Sequence, residues 1–330
     1  MSPDARRIVL SGMRPTGPLH LGNFVGALRN WIKLQDAYRC YYFLATWHAL
    51  SSEYMDSKVI KSNELEVTID WLSAGLDPEK CVIFRQSEVK EHAELHLLLS
   101  MVVPLPWLER VPTFKEMQQD LQDKDLNTYG FLGYPVLQAA DVVIYKADFV
   151  PVGEDQAAHL ELTREIVRRF NRYFGEIFPE PQTLLTEVPR LAGVDGRKMS
   201  KSFGNAIYLK DAPETIREKI LPMKTDTRRM RRTDPGEPDD CPVFTLHRAF
   251  VPKDKQDELA RGCRTAGIGC RECKAVVIEA IIEALAPYRA KRARFEKEPR
   301  LVWDILEAGN AKAREAARRT MDEVRAALGF

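Results

Sequence analysis

Apolar positions along this chain switch between two periods, and the switches mark its elements. Residues 7–12 form a short apolar run, followed by a Gly/Pro-containing loop and an amphipathic stretch over residues 24–38. Residues 40–51 are continuously apolar, the pattern of a strand buried on both faces of a parallel sheet, and this strand is expected to end near Thr46-Trp47-His48. A helix over residues 57–76, a strand over 81–85, a helix over 91–103 and a strand around 149–152 continue the alternation. Strands alternating with helices predict an α/β domain built on a doubly wound parallel sheet. Prolines 104, 106 and 112 interrupt the alternation, so a helical insertion is expected over about 104–148. From residue 212 the pattern is helical throughout, with predicted helices over 212–223, 253–261, 271–294 and 301–328. No internal repeat and no low-complexity segment is visible.

Length and composition narrow the class. A chain of 330 residues, 45% apolar and 29% charged, is long for one domain and ordinary for a globular protein. Lys and Arg number 49 against 48 Asp and Glu, so any nucleic-acid contact must come from local clusters. There is no leading charged-then-apolar signal pattern and no apolar run near the ~18 residues of a membrane span, which predicts a cytoplasmic protein. In that compartment the six cysteines are not read as three disulfides. Cys40 and Cys81, in apolar strand-like contexts, are predicted core residues.

The candidate chemistry centres on residues 193–205, Gly-Val-Asp-Gly-Arg-Lys-Met-Ser-Lys-Ser-Phe-Gly-Asn. Glycines on both sides permit positive φ, while Lys198 and Lys201 offer charge and Ser200 and Ser202 offer hydroxyl donors. Such a loop suits phosphate, although short Lys/Ser/Gly turns are also common on surfaces. Near the start of the chain, Arg14, Pro15 and Thr16 lead into His20-Leu21-Gly22-Asn23 at the head of the first helix. A helix N-terminus there presents free N–H groups to an anion. Gly22 is expected to let a ligand ring approach the backbone, and His20 to donate to a phosphate oxygen.

Residues 133–145 place Tyr134, Gln138, Asp141 and Tyr145 on one helical face, with Pro135 suited to a first turn. An aspartate among so many apolar neighbours must be bonded, either within the fold or to a polar atom of an apolar substrate. His48, at the expected carboxyl end of its strand, fits a ligand-facing role and a buried structural role equally. After the strand at 149–152, Gly153-Glu154-Asp155-Gln156 forms a second ligand-facing turn, which an ordinary helix cap would also explain.

Lys-Met-Ser-Lys-Ser at 198–202 resembles one signature of class I aminoacyl-tRNA synthetases, and His-Leu-Gly-Asn at 20–23 resembles the other. Tyr-Pro-x-Leu-x-Ala-Ala-Asp followed by Val-Gly-Glu-Asp-Gln is similar to the bacterial tryptophanyl-tRNA synthetases; tyrosyl enzymes usually write the second turn differently. The match covers residues 7 to about 205. It implies a Rossmann-type catalytic domain over 1–206 and a helical, tRNA-reading domain over 207–330. It also implies that ATP, with Mg2+, lies against Arg14, Pro15, Thr16, Gly22, Asn23, Gly153, Glu154, Asp155, Leu191, Met199, Ser200 and Ser202. His20, Lys115, Lys198 and Lys201 would then stabilise phosphate charge. Tryptophan would be held by Asp141 at its indole N–H and by Tyr134 and Gln156 at its ammonium, with Gln138 and His48 in the same pocket. A homodimer that charges tRNA(Trp) is implied as well. Arg14 and Gln138 depart from the usual Gln and Met of the family, and both positions touch ligands there.

Cys241, Cys263, Cys270 and Cys273 are spaced Cys-x21-Cys-x6-Cys-x2-Cys. Four thiols with a Cys-x-x-Cys pair point to a metal centre, and the spacing admits either zinc or a four-iron cluster. Cys-Pro-Val-Phe at 241–244 and Gly-Ile-Gly-Cys-x-x-Cys at 267–273 resemble a subset of bacterial tryptophanyl enzymes, and that resemblance implies [4Fe-4S]. The basic run 224–232 suits phosphate contacts, and 233–240 is expected to be an exposed flexible loop. Three other readings share parts of this pattern. They are a tyrosyl enzyme, a small nucleotidylyltransferase lacking the lysine loop, and a synthetase-derived RNA-binding or redox-sensing protein without turnover.

Overall fold

The computed structural model describes residues 6–110, 128–153, 157–185 and 190–330, with the side chain of residue 185 outside that set. Five strands form one parallel sheet: β1 (Ile8–Met13), β2 (Arg39–Leu44), β3 (Cys81–Arg85), β4 (Phe149–Val152) and β5 (Gln182–Leu185). Their spatial order is β3-β2-β1-β4-β5, so the chain runs outward from β1 in one direction and then restarts on its other side at β4. The crevice outside the carboxyl ends of β1 and β4 is the place where such sheets bind ligands.

Burial on both faces follows from the period of two. Along β2, Cys40, Tyr42 and Leu44 enter one core with Trp31 and Trp71, and Tyr41 and Phe43 enter the other with Phe84 and Tyr145. Cys40 and Cys81 are buried neighbours in adjacent strands, as expected.

The first helix runs through Leu21–Asn23, a π-helical turn at Phe24–Leu28 and Arg29–Ala37. The expected strand end at 46–48 is corrected. β2 stops at Leu44 and a helix, Thr46–Glu53, follows one residue later, so His48 projects from a helix. The start of this helix is tied to the loop after β3: Gln86 Oε1 accepts the Trp47 N–H at 3.0 Å, and Thr46 Oγ1 accepts the Ser87 N–H at 3.0 Å. Helices Lys58–Ala74, Glu91–Ser100 and Tyr134–Ile144 lie close to their predicted spans.

Beyond the lysine loop the chain is helical: Pro213–Ile220, Pro242–Phe250, Lys253–Arg264, Cys270–Lys297 and Pro299–Leu328. Val243, Ile281 and Leu306 from these helices join the core that contains Val9 and Ile83, so sheet and helices share one apolar interior. Helix Pro299–Leu328 lies along the outer edge of β3. Gly309 meets the Ile83 carbonyl so closely that a Cβ would stand 1.8 Å from its oxygen, and Asn310 Oδ1 accepts the Arg85 N–H at 2.9 Å. Among the described residues, no helix is long and apolar enough to cross a membrane.

Candidate active site

A cavity of about 380 Å³ opens at the β1/β4 switch point. Its walls include Leu10, Gly12, Arg14 and Phe43 from the sheet side, Asn30 and Trp31 from the first helix, and Gln138 and Asp141 from Tyr134–Ile144. His48, Tyr134 and Gly153 also line it.

Asp141 sits at its base, 1% exposed, and its carboxylate is held from three sides. Oδ2 accepts from His48 Nε2 at 2.7 Å, while Oδ1 accepts from Gln86 Nε2 at 2.7 Å and from His92 Nδ1 at 2.6 Å. Burial alone would raise its pKa, but His48 and His92 outweigh it and hold the group at about 2. With Nδ1–H given to Asp141, His92 Nε2 is free to accept from the Tyr145 hydroxyl at 2.7 Å. The Tyr134 ring stands edge-on to His48, centroids 4.5 Å apart. Three bonds leave the carboxylate with one unfilled acceptor direction. Gln138 Oε1 and Asn30 Nδ2 are buried without a partner among the described residues. Those two orphan groups give the cavity an acceptor and a donor that a ligand can satisfy.

Gln86 and His92 were not singled out in the sequence. They sit 55 and 49 residues from Asp141, and no local spacing signals the contact.

Above this pocket the two signatures meet. His20 caps the first helix: its Nδ1 accepts the Asn23 N–H at 3.3 Å, and Asn23 Oδ1 accepts the His20 N–H at 3.1 Å. An accepting Nδ1 places the ring proton on Nε2, which leaves an N–H donor for a ligand. Burial, reinforced by Lys201 and Lys198, lowers the His20 pKa to about 4, so the ring is neutral at neutral pH. Gly22 is required by this same ring: a Cβ there would stand 2.9 Å from the imidazole.

The segment 19–21 pairs with 207–209, through Leu21 N–H to the Ile207 carbonyl and Leu209 N–H to the Leu19 carbonyl, both 2.9 Å. Lys201 Nζ donates to the Gly17 carbonyl at 2.7 Å, at a glycine with φ of +116°. Burial lowers the Lys201 pKa to about 8, with Asp70 opposing and Arg14 adding to the shift. Lys198 is exposed, and Ser200 and Ser202 hydroxyls bond each other at 2.8 Å. Leu191 and Met199 are buried, joined by the Met199 N–H to the Leu191 carbonyl at 2.9 Å. The loop is shaped from below by Asn205, 2% exposed, which sequence reasoning did not assign. Arg14 Nη1 donates to Ser52 Oγ at 3.4 Å, and the Thr16 N–H turns back to the Arg14 carbonyl. Lys115, Glu154, Asp155 and Gln156 lie outside the described residues.

The four C-terminal cysteines gather from three helices. Cys241 caps Pro242–Phe250, Cys263 lies in the last turn of Lys253–Arg264, and Cys270 and Cys273 open Cys270–Lys297. Burial raises the thiols of Cys241, Cys263 and Cys273, the last to about 12, and Cys273 also feels the other three sulfurs. Cys263 lies 3.9 Å from Arg229 Nη1, and Cys273 lies 3.3 Å from His247 Nε2. Among the described residues no three His, Cys, Asp or Glu side chains are already set as metal ligands. The basic run is largely committed to its own surroundings. Arg228 bonds Asp226 and Asp240, Arg229 bonds the Ile268 carbonyl at 2.6 Å, and Arg232 meets Glu272. The stretch 233–240 is correspondingly fixed, its Gly236 N–H bound to the Cys263 carbonyl.

The His20 turn and the lysine loop are thus joined through 19–21 and 207–209, near the cavity at the β1/β4 switch point. The chain belongs to the class I tRNA synthetases of the tryptophan and tyrosine group, whose family model, "tRNA synthetases class I (W and Y)", matches residues 2–286. It is 52% identical to the tryptophan–tRNA ligase of Thermotoga maritima over 98% of this chain and 99% of that one. It is 43% identical to that of Ralstonia nicotianae over 98% of each. The crystal structure of Campylobacter jejuni tryptophanyl-tRNA synthetase with ADP and tryptophan superposes with a TM-score of 0.86 at 33% identity, covering 98% of this chain and 100% of that one. The activity of the chain is accordingly tryptophan–tRNA ligation.

Proposed function

We propose that the β1/β4 cavity takes L-tryptophan and that the two stitched signatures hold ATP with its Mg2+ ion. The tryptophan carboxylate attacks the α-phosphate, releasing pyrophosphate, and the adenylate is then transferred to the 3′ end of tRNA(Trp). The observation that carries this reading is the cavity itself: Trp31, Phe43 and Val142 line it, and Gln138 Oε1 stands unpartnered there beside a fully buried Asp141. In it, the last acceptor direction of Asp141 takes the indole N–H, Gln138 adds a second acceptor, and Tyr134 and Gln156 hold the ammonium. A polar atom read by buried partners gives strong rejection of analogues lacking it.

On the ATP side, neutral His20 donates through Nε2 to a phosphate oxygen. Lys198, Lys201 and Lys115 supply cations, and Ser200 and Ser202 supply hydroxyl donors. Arg14, Pro15, Thr16, Gly22, Asn23, Gly153, Glu154, Asp155, Leu191 and Met199 shape the nucleotide's bed. No protein nucleophile is needed, since catalysis comes from positioning and charge.

The division into a catalytic part (1–206) and a helical tRNA-binding part (207–330) goes with this reading, as does a cytoplasmic location. A homodimer goes with this reading, and the exposed apolar side chains of Tyr54, Met55, Leu97, Met101, Leu105 and Tyr129 are available to such an interface. For the four cysteines the proposal is [4Fe-4S], with zinc as the alternative. Cys241 stands at the N-terminus of one helix, Cys270 and Cys273 in the first turn of another and Cys263 beside Arg229, so the donor set is four sulfurs from three helices, the chemistry of a thiolate-bound centre. When bound, the cluster would brace these three helices.

The test is ATP–pyrophosphate exchange with each aromatic amino acid supplied separately, on protein purified without oxygen. Exchange with tryptophan alone is expected. Exchange with tyrosine would refute the pocket assignment, and none with any of them would favour a binding protein without turnover.

A further inference from the structure

A buried ion pair that no motif singles out ties the phosphate-gripping segments to the C-terminal helices. Asp70, on helix Lys58–Ala74, is fully buried. Its Oδ2 accepts the N–H of Leu19, the residue immediately before His20, at 2.7 Å. Its Oδ1 accepts from Tyr288 Oη and from Arg292 Nη1, both buried on helix Cys270–Lys297. The same guanidinium donates through Nη2 to Glu66 Oε1 at 2.9 Å, and Glu66 Oε1 also takes Lys210 Nζ at 2.8 Å. Lys210 directly follows the segment 207–209 that pairs with 19–21. One arginine therefore anchors both strands of the stitch: the His20 side through Asp70, and the lysine-loop side through Glu66 and Lys210.

We infer that Arg292, acting through Asp70 and Glu66, is a positioning residue for the activation step, setting the placement of His20 and the lysine loop from helix Cys270–Lys297. Arg292 touches neither cavity nor loop, so its effect on phosphate runs through the backbone of 19–21 and 207–209. A planar guanidinium suits the task because it bonds two carboxylates at fixed angles, which a lysine cannot reproduce. A carboxylate as buried as Asp70, once stripped of its cation, must move or take up a proton, and either displaces the Leu19 amide. The inference rests on the proposed tryptophan activation, but their failures are separable. Exchange by the unaltered protein tests the activity, and only the ratio of variant to unaltered protein tests the positioning role.

The experiment compares Arg292→Gln, Arg292→Lys and Tyr288→Phe in the full-length chain by ATP–pyrophosphate exchange. Rates are normalised to active sites titrated by adenylate formation, and Tm is measured alongside. Arg292→Gln is expected to lower kcat/KM for ATP by about 10- to 100-fold while leaving KM for tryptophan within about twofold. Arg292→Lys, keeping the charge, should recover part of the loss. If Arg292→Gln does not accumulate, Tyr288→Phe carries the same readout, with a several-fold loss for ATP alone. A variant with lowered Tm but unchanged kcat/KM for ATP per active site would overturn the inference in favour of a purely structural pair. Equal losses for ATP and tryptophan would overturn it as well.

Discussion

Asn205 holds the lysine loop at Ser200: its Oδ1 accepts the Ser200 N–H at 2.8 Å from beneath the turn. Its Nδ2 donates to Asp195 Oδ1 at 2.7 Å and to the Lys198 carbonyl at 3.1 Å, so one buried amide fixes three points of the lysine loop. Gly193 makes room for it, since a Cβ there would fall 2.3 Å from Asn205 Cγ. Asn205→Ala is therefore expected to lower kcat/KM for ATP by about 10- to 100-fold while tryptophan affinity, read by equilibrium dialysis, stays unchanged. Equal weakening of both ligands would mean that the loop's shape is not the affected quantity.

The neutral state of His20 has a consequence for acid stability. Its pKa falls from 6.5 in the unfolded chain to about 4 in the fold, with burial the largest cause. The unfolded state thus binds more protons between those values. The contribution is complete above about pH 6.5 and is lost as pH falls toward 4, at most about 3 kcal/mol. Urea midpoints measured from pH 7 to 4 should fall with pH, and His20→Asn should flatten part of that slope. In 15N spectra the His20 ring should remain the Nε2–H tautomer down to about pH 5.

The unpartnered oxygen of Gln138 predicts a selective effect on the amino acid. Gln138→Met fills a similar volume without an acceptor, so KM for tryptophan should rise several-fold, about what one hydrogen bond contributes. KM for ATP should not change. An unaltered tryptophan KM would leave the indole N–H to Asp141, without Gln138.

Cys270→Ser removes one thiolate from the cysteine group. Protein purified without oxygen is expected to carry a broad band near ~400 nm that this variant lacks, together with its iron. Colourless unaltered protein containing one zinc would replace the cluster by the zinc alternative.

How much of this was legible in the sequence depended on whether a contact was local. The parallel strands at 8–13, 39–44 and 81–85 were marked by their apolar runs, and His20 and the lysine loop by their residue order. The helix at Thr46–Glu53 was hidden because a continuously apolar run carries no period to separate strand from helix. The four-residue edge strand Gln182–Leu185 was too short to show a period, and the start of the helix Pro242–Phe250 was read as part of the cysteine pattern at 241–244. Gln86, His92 and Asp70 hold the site across tens to hundreds of residues, and a buried polar side chain looks the same in sequence whether or not it has a partner.

The cover over β3 sets an order on the birth of the molecule. The backbone N–H of Arg85 finds its acceptor in Asn310, 225 residues further along the chain. A ribosome has therefore translated both signatures and the whole amino-acid pocket well before the sheet's outer strand is closed. Until helix Pro299–Leu328 emerges, the nascent chain carries an open strand edge able to pair with a neighbouring copy. A chain stopped before residue 299 is expected to aggregate through that edge, although it contains every signature residue of the activation chemistry.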